Sequence, residues 1–335
     1  MSYSAAIVFR DGNTRFIRVN ENELLIDAAL RQGVTLPVDC REGVCATCRC
    51  HCESGEVDLD YVDDEALTRE ELQAGHVLAC QTRLRSAASF YFDVDAALCS
   101  VSPQRYQGVV SAVDLVSDSV VTLDVTLEGA EHLRFLPGQY ARLQVPGSDS
   151  WRAYSFANGE VVKGQIRFLI RLLPSGAMSD YLRQRAQPGD PIALDAPFGA
   201  FYLREVTRPL LMVAGGTGLS AFLSMLDRLE QQGARYPIRL CYGVTKEGDL
   251  CELARLEEYK QRLPDFDYQV IVMAPSAQWQ GRQGVVCDLF DPGFLDTPFD
   301  AYLCGPPPMI EATQQWLASH PVAEHHLYFE KFVSS

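Results

Sequence analysis

The chain has 335 residues, 47% hydrophobic and 22% charged, with a formal net charge of −15 from 29 basic and 44 acidic side chains. That length exceeds one typical core and calls for two or three domains. The acidity argues against a nucleic-acid partner, whose phosphates need a basic face, and no apolar run is long enough to span a bilayer.

The opening stretch, MSYSAAIVFRDGNTRFIRV, intersperses acidic and basic side chains where a secretory signal would need an unbroken apolar core. A cytoplasmic protein is therefore expected, and its 11 cysteines read as metal ligands and buried thiols rather than disulfides. AIVFR and TRFIRV flank Asp-Gly-Asn and predict a β-hairpin. In NENELLIDAALRQG, Leu24, Leu25, Ala28 and Ala29 recur at helical spacing, with Asn22 as the expected cap and Gly33 as the stop. An irregular cysteine-rich loop follows, then a closing strand in ASFYFDV, giving an α+β unit over residues 1–98. That unit holds 9 basic and 17 acidic side chains, and the excess peaks in ESGEVDLDYVDDE. Such a run is either a solvated loop or a docking face for a basic partner.

After CSVSPQR come short β-rich runs: YQGVVSAVDLVS, SVVTLDVTLEG, QYARLQVPG, RAYSFAN and GQIRFLIRLL. Their spacing predicts an antiparallel barrel over 104–206, interrupted by one helix in GAMSDYLRQRAQPG. From TRPLLMVAGGTG onward, the apolar runs PLLMVA, PIRLCYGV, YQVIVMA and AYLCG alternate with helical segments. This pattern predicts a doubly wound parallel sheet over 207–335.

Three segments carry chemistry. The spacing Cys40-x4-Cys45-x2-Cys48, with Cys80 far downstream, resembles the plant-type [2Fe–2S] ferredoxins, in which four thiolates hold two irons. Gly43 gives the loop freedom, while Ala46 and Thr47 are small enough for amides to approach the sulfurs. Cys50 and Cys52 alternate with His51 and read as packing residues. A zinc site using Cys45 and Cys48 with Cys50 or Cys52 is the competing reading. Arg152-Ala-Tyr154-Ser155 resembles the flavin motif of the ferredoxin reductase family. By that resemblance Arg152 pairs with the flavin pyrophosphate, Tyr154 packs along the ring and Ser155 bonds near N5. Gly176, Met178 and Ser179 at a helix start would supply a second pyrophosphate contact, as free helix N–H groups bind anions. PFG at residues 197–199 resembles the end of that family's flavin domain. On its own, the tetrapeptide would suit an exposed strand.

Gly215, Gly216, Thr217 and Gly218 join a buried strand to a helix, and Cys304-Gly305-Pro306 ends a later strand. Both lie where doubly wound sheets bind dinucleotides, though glycine turns also serve packing. The pair is similar to the pyridine-nucleotide signature of the same reductase family, which would put Cys304 beside the nicotinamide; a buried core cysteine is the alternative. Lys246 favours a 2′-phosphate, whereas Glu247 and Asp249 favour a free ribose; the family tips the choice to NADH over NADPH. The final YFEKF segment places Glu330 and Phe332 near the flavin by the same resemblance, with strand packing of Tyr328 and Phe329 as the plain alternative. The order ferredoxin, flavin, nucleotide, together with DCREGVCATCR, FGAFYLR, AGGTGLSAFLSML and FEKF, resembles the reductases of bacterial aromatic-ring dioxygenases of the benzoate, toluate and anthranilate type. Val44 and Ala46 depart from the commoner Glu and Gly beside the second ligand. The resemblance implies a [2Fe–2S] cluster, FAD and NADH, with Ser155, Cys304, Glu330 and Phe332 at the reacting centre and a Rieske-type terminal oxygenase as acceptor. The rivals are a phenol- or methane-type monooxygenase reductase, an NADPH flavoreductase with a degenerate cysteine loop, and a zinc-stapled binding protein without redox activity.

Overall fold

The computed structural model describes residues 2–96, 98–100 and 103–332. Residues 1 and 97 of the first expected domain, 101 and 102 of the expected linker, and 333–335 of the last lie outside the described residues. The chain divides into two compact units, Met1–Pro103 with Phe198–Ala200, and Gln104–Pro197 with Phe201–Ser335.

In the first unit, β1 (Ser2–Phe9) and β2 (Thr14–Asn20) form the expected antiparallel hairpin, turning through Gly12 at φ 80°. α1 (Leu25–Arg31) buries Leu25, Ile26, Ala28 and Ala29. Its N-cap is Leu24 rather than Asn22. Asn22 instead adopts φ 62° and its carbonyl and amide oxygens accept from Arg83 and Arg85, so its polar groups are spent on a turn. Gly33, at φ 77°, does end the helix, its N–H bonding Leu30 O. β3 (Arg49–Ser54), β4 (Val57–Leu59), α2 (Arg69–Gln73), β5 (His76–Leu78), β6 (Thr82–Leu84) and β7 (Ala88–Phe92) complete the unit. The main sheet runs β2-β1-β7-β3-β5, with β1 and β7 parallel, and β4 pairs with β6 separately. α2 is held by a Thr68–Glu71 capping box, a signal the sequence offered and the expectation passed over. Cys50 is buried and Cys52 half-buried on β3, as packing residues would be.

The second unit begins with β8 (Gln104–Leu115), β9 (Val120–Leu127), β10 (Tyr140–Gln144), β11 (Trp151–Ser155), β12 (Gln165–Arg171), α3 (Ala177–Gln184) and β13 (Pro191–Phe198). Their sheet order is β11-β10-β13-β8-β9-β12, and a bridge between Phe156 and Phe168 brings its two edges together, nearly closing a barrel. Inward residues such as Leu123, Val125, Leu143, Phe168 and Leu194 fill it. β13 was not expected, because its proline and aspartate dilute the alternation of Ile192, Leu194 and Ala196.

The parallel sheet follows: β14 (Leu210–Gly215), α4 (Leu219–Gln232), β15 (Ile238–Val244), α5 (Leu253–Arg262), β16 (Phe266–Val272), α6 (Pro292–Leu295), β17 (Phe299–Gly305), α7 (Pro307–Ser319) and β18 (His325–Lys331). Its order is β16-β15-β14-β17-β18, all parallel. Leu210, Met212 and Ala214 join one core, and Leu211 and Val213 the other. Both faces are therefore covered, which is why these strands read as unbroken apolar runs. The strand order reverses between β14 and β17, so their carboxyl ends flank the crevice where such sheets take ligands. Among the described residues no helix is long and apolar enough to cross a membrane.

Candidate functional site

The cysteine loop is wound by positive φ angles at Arg41, Gly43 and Ala46. Gly43 is required twice over: at φ 82°, an added Cβ would run into the Tyr61 carbonyl and lie 3.2 Å from Gln81 Cγ. The loop sulfurs meet two by two, Cys40 hydrogen-bonding Cys45 and Cys48 hydrogen-bonding Cys80. Within each pair the two thiols shift in opposite directions. The Cys45 hydrogen bond draws Cys40 down to about 4, and Cys45 is pushed up by Cys40 and by burial. Cys48 draws Cys80 down to about 7, while Cys48 itself rises through the same bond and burial. The Glu42 N–H donates to Cys40 Sγ at 3.3 Å, the amides of Val44 and Cys45 also face Cys40, and the Gly43 amide faces Cys80. Gln81, buried and unremarked in the sequence, donates to Cys80 Sγ at 3.5 Å and to Arg41 O at 3.0 Å.

This donor set suits an electron-rich thiolate group with two metal centres, each taking one pair. Its crowd of N–H donors is what such sulfurs use to tune a cluster. Among the described residues, no three His, Cys, Asp or Glu side chains are grouped to hold a single ion.

The flavin segment is β11, paired with β10 so that Tyr140 faces Ser155 and Leu143 faces Arg152. Arg152 is half-buried and donates to Trp151 O at 2.8 Å. Burial drives the Tyr154 phenol upward. Ser155 is buried and its Oγ donates to Glu330 Oε2 at 3.5 Å. At the second expected contact, Gly176 is the N-cap of α3 at φ 152°, and the first-turn N–H groups lack intrahelical partners. Met178 packs its side chain into the barrel core, and the Ser179 hydroxyl accepts from Leu173 N at 3.0 Å. What α3 offers a phosphate is therefore backbone N–H, a donor set that fits a pyrophosphate.

The two nucleotide loops lie against each other. A Cβ on Gly215 would sit 2.6 Å from Met309 Sδ, and one on Gly218 would sit 2.6 Å from the Cys304 carbonyl carbon. Gly216, at φ 55°, faces open space, with no heavy atom within 4 Å of an added Cβ. Thr217 O accepts from Ser220 Oγ at 2.9 Å. Across the sheet, Ala214, Cys304 and Glu330 stand in register on β14, β17 and β18. Cys304 is fully buried, and burial followed by the Glu330 charge raises its thiol well above the ordinary range. Phe332 N donates to Gly305 O at 2.8 Å.

Thus Ser155 from the barrel, Cys304 from β17 and Glu330 from β18 come together, and Phe332 is fastened to the same loop. Pro306 precedes α7. No hydrogen bond or ion pair joins Arg152 or Ser179 to that trio among the described residues. Asp249 departs from expectation: its carboxylate accepts from Ser119 Oγ and Lys246 N, so it braces the barrel rather than facing a ribose. Glu247 remains, fixed at 3.1 Å by Ser276 N.

Three family models match in chain order: a 2Fe-2S iron-sulfur cluster binding domain at residues 8–85, an oxidoreductase FAD-binding domain at 107–202 and an oxidoreductase NAD-binding domain at 212–315. The chain is 50% identical to the anthranilate 1,2-dioxygenase electron transfer component of Acinetobacter baylyi, over 100% of this chain and 98% of the relative. It is 43% identical to the toluate 1,2-dioxygenase electron transfer component of Pseudomonas putida, over 100% of both. The chain belongs to this family of electron transfer components. Among solved structures, the Amycolatopsis cytochrome P450 reductase GcoB matches with a TM-score of 0.73 and 27% identity, covering 98% of this chain and 99% of that one. The family member described here therefore carries an iron–sulfur unit, an FAD barrel and an NAD sheet on one chain, and the zinc-stapled, non-redox reading falls away.

Proposed function

We propose that this chain oxidises NADH and delivers single electrons to the terminal oxygenase of an aromatic-acid 1,2-dioxygenase, of the Rieske type. The observation that carries the reading is the meeting of Ser155, Cys304 and Glu330 from two different sheets. The domains are assigned to 1–98, 104–206 and 207–335, and the protein to the cytoplasm.

FAD, when bound, accepts an electron pair as hydride and releases electrons singly to a [2Fe–2S] cluster, which suits it to stand between the two. Cys40, Cys45, Cys48 and Cys80 would hold the cluster. Arg152 would fork onto a pyrophosphate, as guanidinium geometry favours, with the α3 N–H groups on its other side. Tyr154 lends a flat face to the ring. Gly215, Gly216, Thr217, Gly218, Gly305 and Pro306 shape the nucleotide crevice. The Ser155 hydroxyl would face the ring near N5, and because it already donates to Glu330 Oε2 it can hand a proton to that carboxylate only while taking one from the ring side, so that no alkoxide is left. Cys304 and Phe332 wall the reacting face and keep water from it. Glu247 selects the free ribose of NADH.

The test is the visible and EPR spectrum before and after anaerobic NADH addition. Flavin bleaching with a new reduced-cluster signal supports the reading. A yellow protein without iron, or a colourless one reconstituted with neither cofactor, sinks it. Cys45→Ser should lose cluster absorbance and transfer to one-electron protein acceptors, yet keep NADH oxidation by the flavin.

A further inference from the structure

The flavin segments belong to the barrel and the nucleotide loops to the parallel sheet. The distance between two bound reactants is therefore set by how these halves of one compact unit are joined. One face of α4 makes much of the joint, beside the Ser119–Asp249 and Ser155–Glu330 bonds already described. Ser224, Asp227 and Gln231 recur at helical spacing, and each bonds the barrel. Ser224 Oγ accepts from Gly138 N at 3.0 Å, Asp227 Oδ2 accepts from Gly159 N at 2.9 Å, and Gln231 Nε2 donates to Glu160 Oε1 at 2.9 Å.

Both glycines permit approaches no other residue would. A Cβ at Gly138 would lie 2.8 Å from Phe201 O and press on the flexible end of Met225, and one at Gly159 would lie 2.8 Å from Asp227 Cβ and 2.9 Å from Ser224 O. Asp227 is itself clamped. Arg255 Nη2 donates to both its oxygens at 3.0 Å, Tyr259 OH donates to Oδ1, and Glu252 sits 3.8 Å from Arg255 Nη1. Side-chain exposures of 24% for Asp227, 20% for Arg255 and 10% for Glu252 leave this ladder only partly open to water.

The ladder is wired to both sites by short, stiff pieces of chain. α4 starts directly after Gly218, and Asp227 lies on it about 13 Å further along at 1.5 Å per residue. Gly159 follows Ser155 closely, at the turn between β11 and β12. We propose that Asp227, locked by Arg255 and Tyr259, is a positioning residue for hydride transfer, and that α4 is the gauge fixing nicotinamide against flavin. The proposal rests on the NADH–flavin reading above. A bound pair must be held near 3–3.5 Å, and a misplacement of about 1 Å costs on the order of 10²-fold in rate.

The test compares full-length wild type, Asp227→Ala, Asp227→Asn and Ser224→Ala by hydrogen–deuterium exchange without nucleotide, and by anaerobic stopped-flow flavin reduction across NADH concentrations. In Asp227→Ala, amides of residues 156–164 should exchange at least about tenfold faster, and the limiting rate should fall about 10- to 100-fold while the apparent NADH Kd stays within about twofold. Asp227→Asn keeps an oxygen for the Gly159 amide but sets an NH2 against the Arg255 guanidinium, so both readings should fall between wild type and Asp227→Ala. Faster exchange with an unchanged limiting rate would reduce Asp227 to a structural brace and overturn the proposal, as would unchanged exchange. Should Asp227→Ala not fold, Ser224→Ala decides by the same two readings, with exchange followed at the amides of Gly138, Gln139 and Tyr140. A wild type whose flavin NADH does not reduce would refute the functional reading, and this proposal with it, before any variant is compared.

Discussion

Gly216 and Gly218 stand two residues apart in one loop, yet alanine should harm them in different ways. At Gly218, the new Cβ would meet the Cys304 carbonyl, lying 2.6 Å from its carbon and 3.0 Å from Gly305 N. Carbon contacts are comfortable near about 3.5–4.0 Å, so the two loops must part by about 1 Å. Overpacking of this kind costs about 1–3 kcal/mol of stability. The same displacement separates the β14 loop from Cys304 and should lower the limiting rate of flavin reduction about 100-fold, or about 2.7 kcal/mol of barrier. At Gly216, the backbone is left-handed, φ 55°, but the Cβ would point into open space. The strain costs about 1–2 kcal/mol, and the methyl enters the volume assigned to the dinucleotide, so Gly216→Ala should raise the NADH Kd with a nearly unchanged limiting rate. Thermal melts and anaerobic stopped-flow at varied NADH separate the two. Gly218→Ala with a wild-type melting temperature and limiting rate would refute the claim that these loops are in contact.

Other expectations concern the first unit. His76 is held down to about 4, first by burial and then by Arg49 and His51, against an ordinary value of 6.5. Below pH 6.5 the unfolded chain takes up a proton the folded one refuses, so stability should fall between about pH 6.5 and 4, by about 1–2 kcal/mol once partial exposure is discounted. Denaturant midpoints should show this slope in wild type and lose it in His76→Gln. Thr68→Ala removes the capping box at α2, and Glu71, which also pairs with Arg49 at 2.8 Å, loses its register. About 1 kcal/mol of stability should go with it, read from the same denaturation curves.

Much of this was written in local pattern. The hairpin of β1 and β2 and the helix α7 each bury one periodic set of side chains, and β14 and β17 are apolar throughout; both patterns are visible without partners. The cysteine spacing was legible because three ligands must reach one group from a short loop, with a fourth arriving from another segment. What could not be read depended on distant neighbours. Gln81 looks like any polar residue until the fold brings it to Cys80 and Arg41 O. Asp249 looks like a ribose ligand until Ser119, 130 positions away, claims it. Arg204 ends the FGAFYLR stretch with no role assigned to it, but its guanidinium stands 4.1 Å from the rings of both Tyr202 and Tyr328. Met178 sat in a motif, while its side chain serves the barrel core. Local signals specify elements; the commitments of polar side chains are decided by topology.

The seam of glycines along α4 also governs how such chains can be recombined. A chimaera spliced near residue 206 would set a foreign helix against Gly138 and Gly159, whose missing side chains were matched to Ser224, Met225 and Asp227. A splice in 98–103 leaves every one of those partners native. The barrel and the nucleotide sheet are thus inherited as a pair.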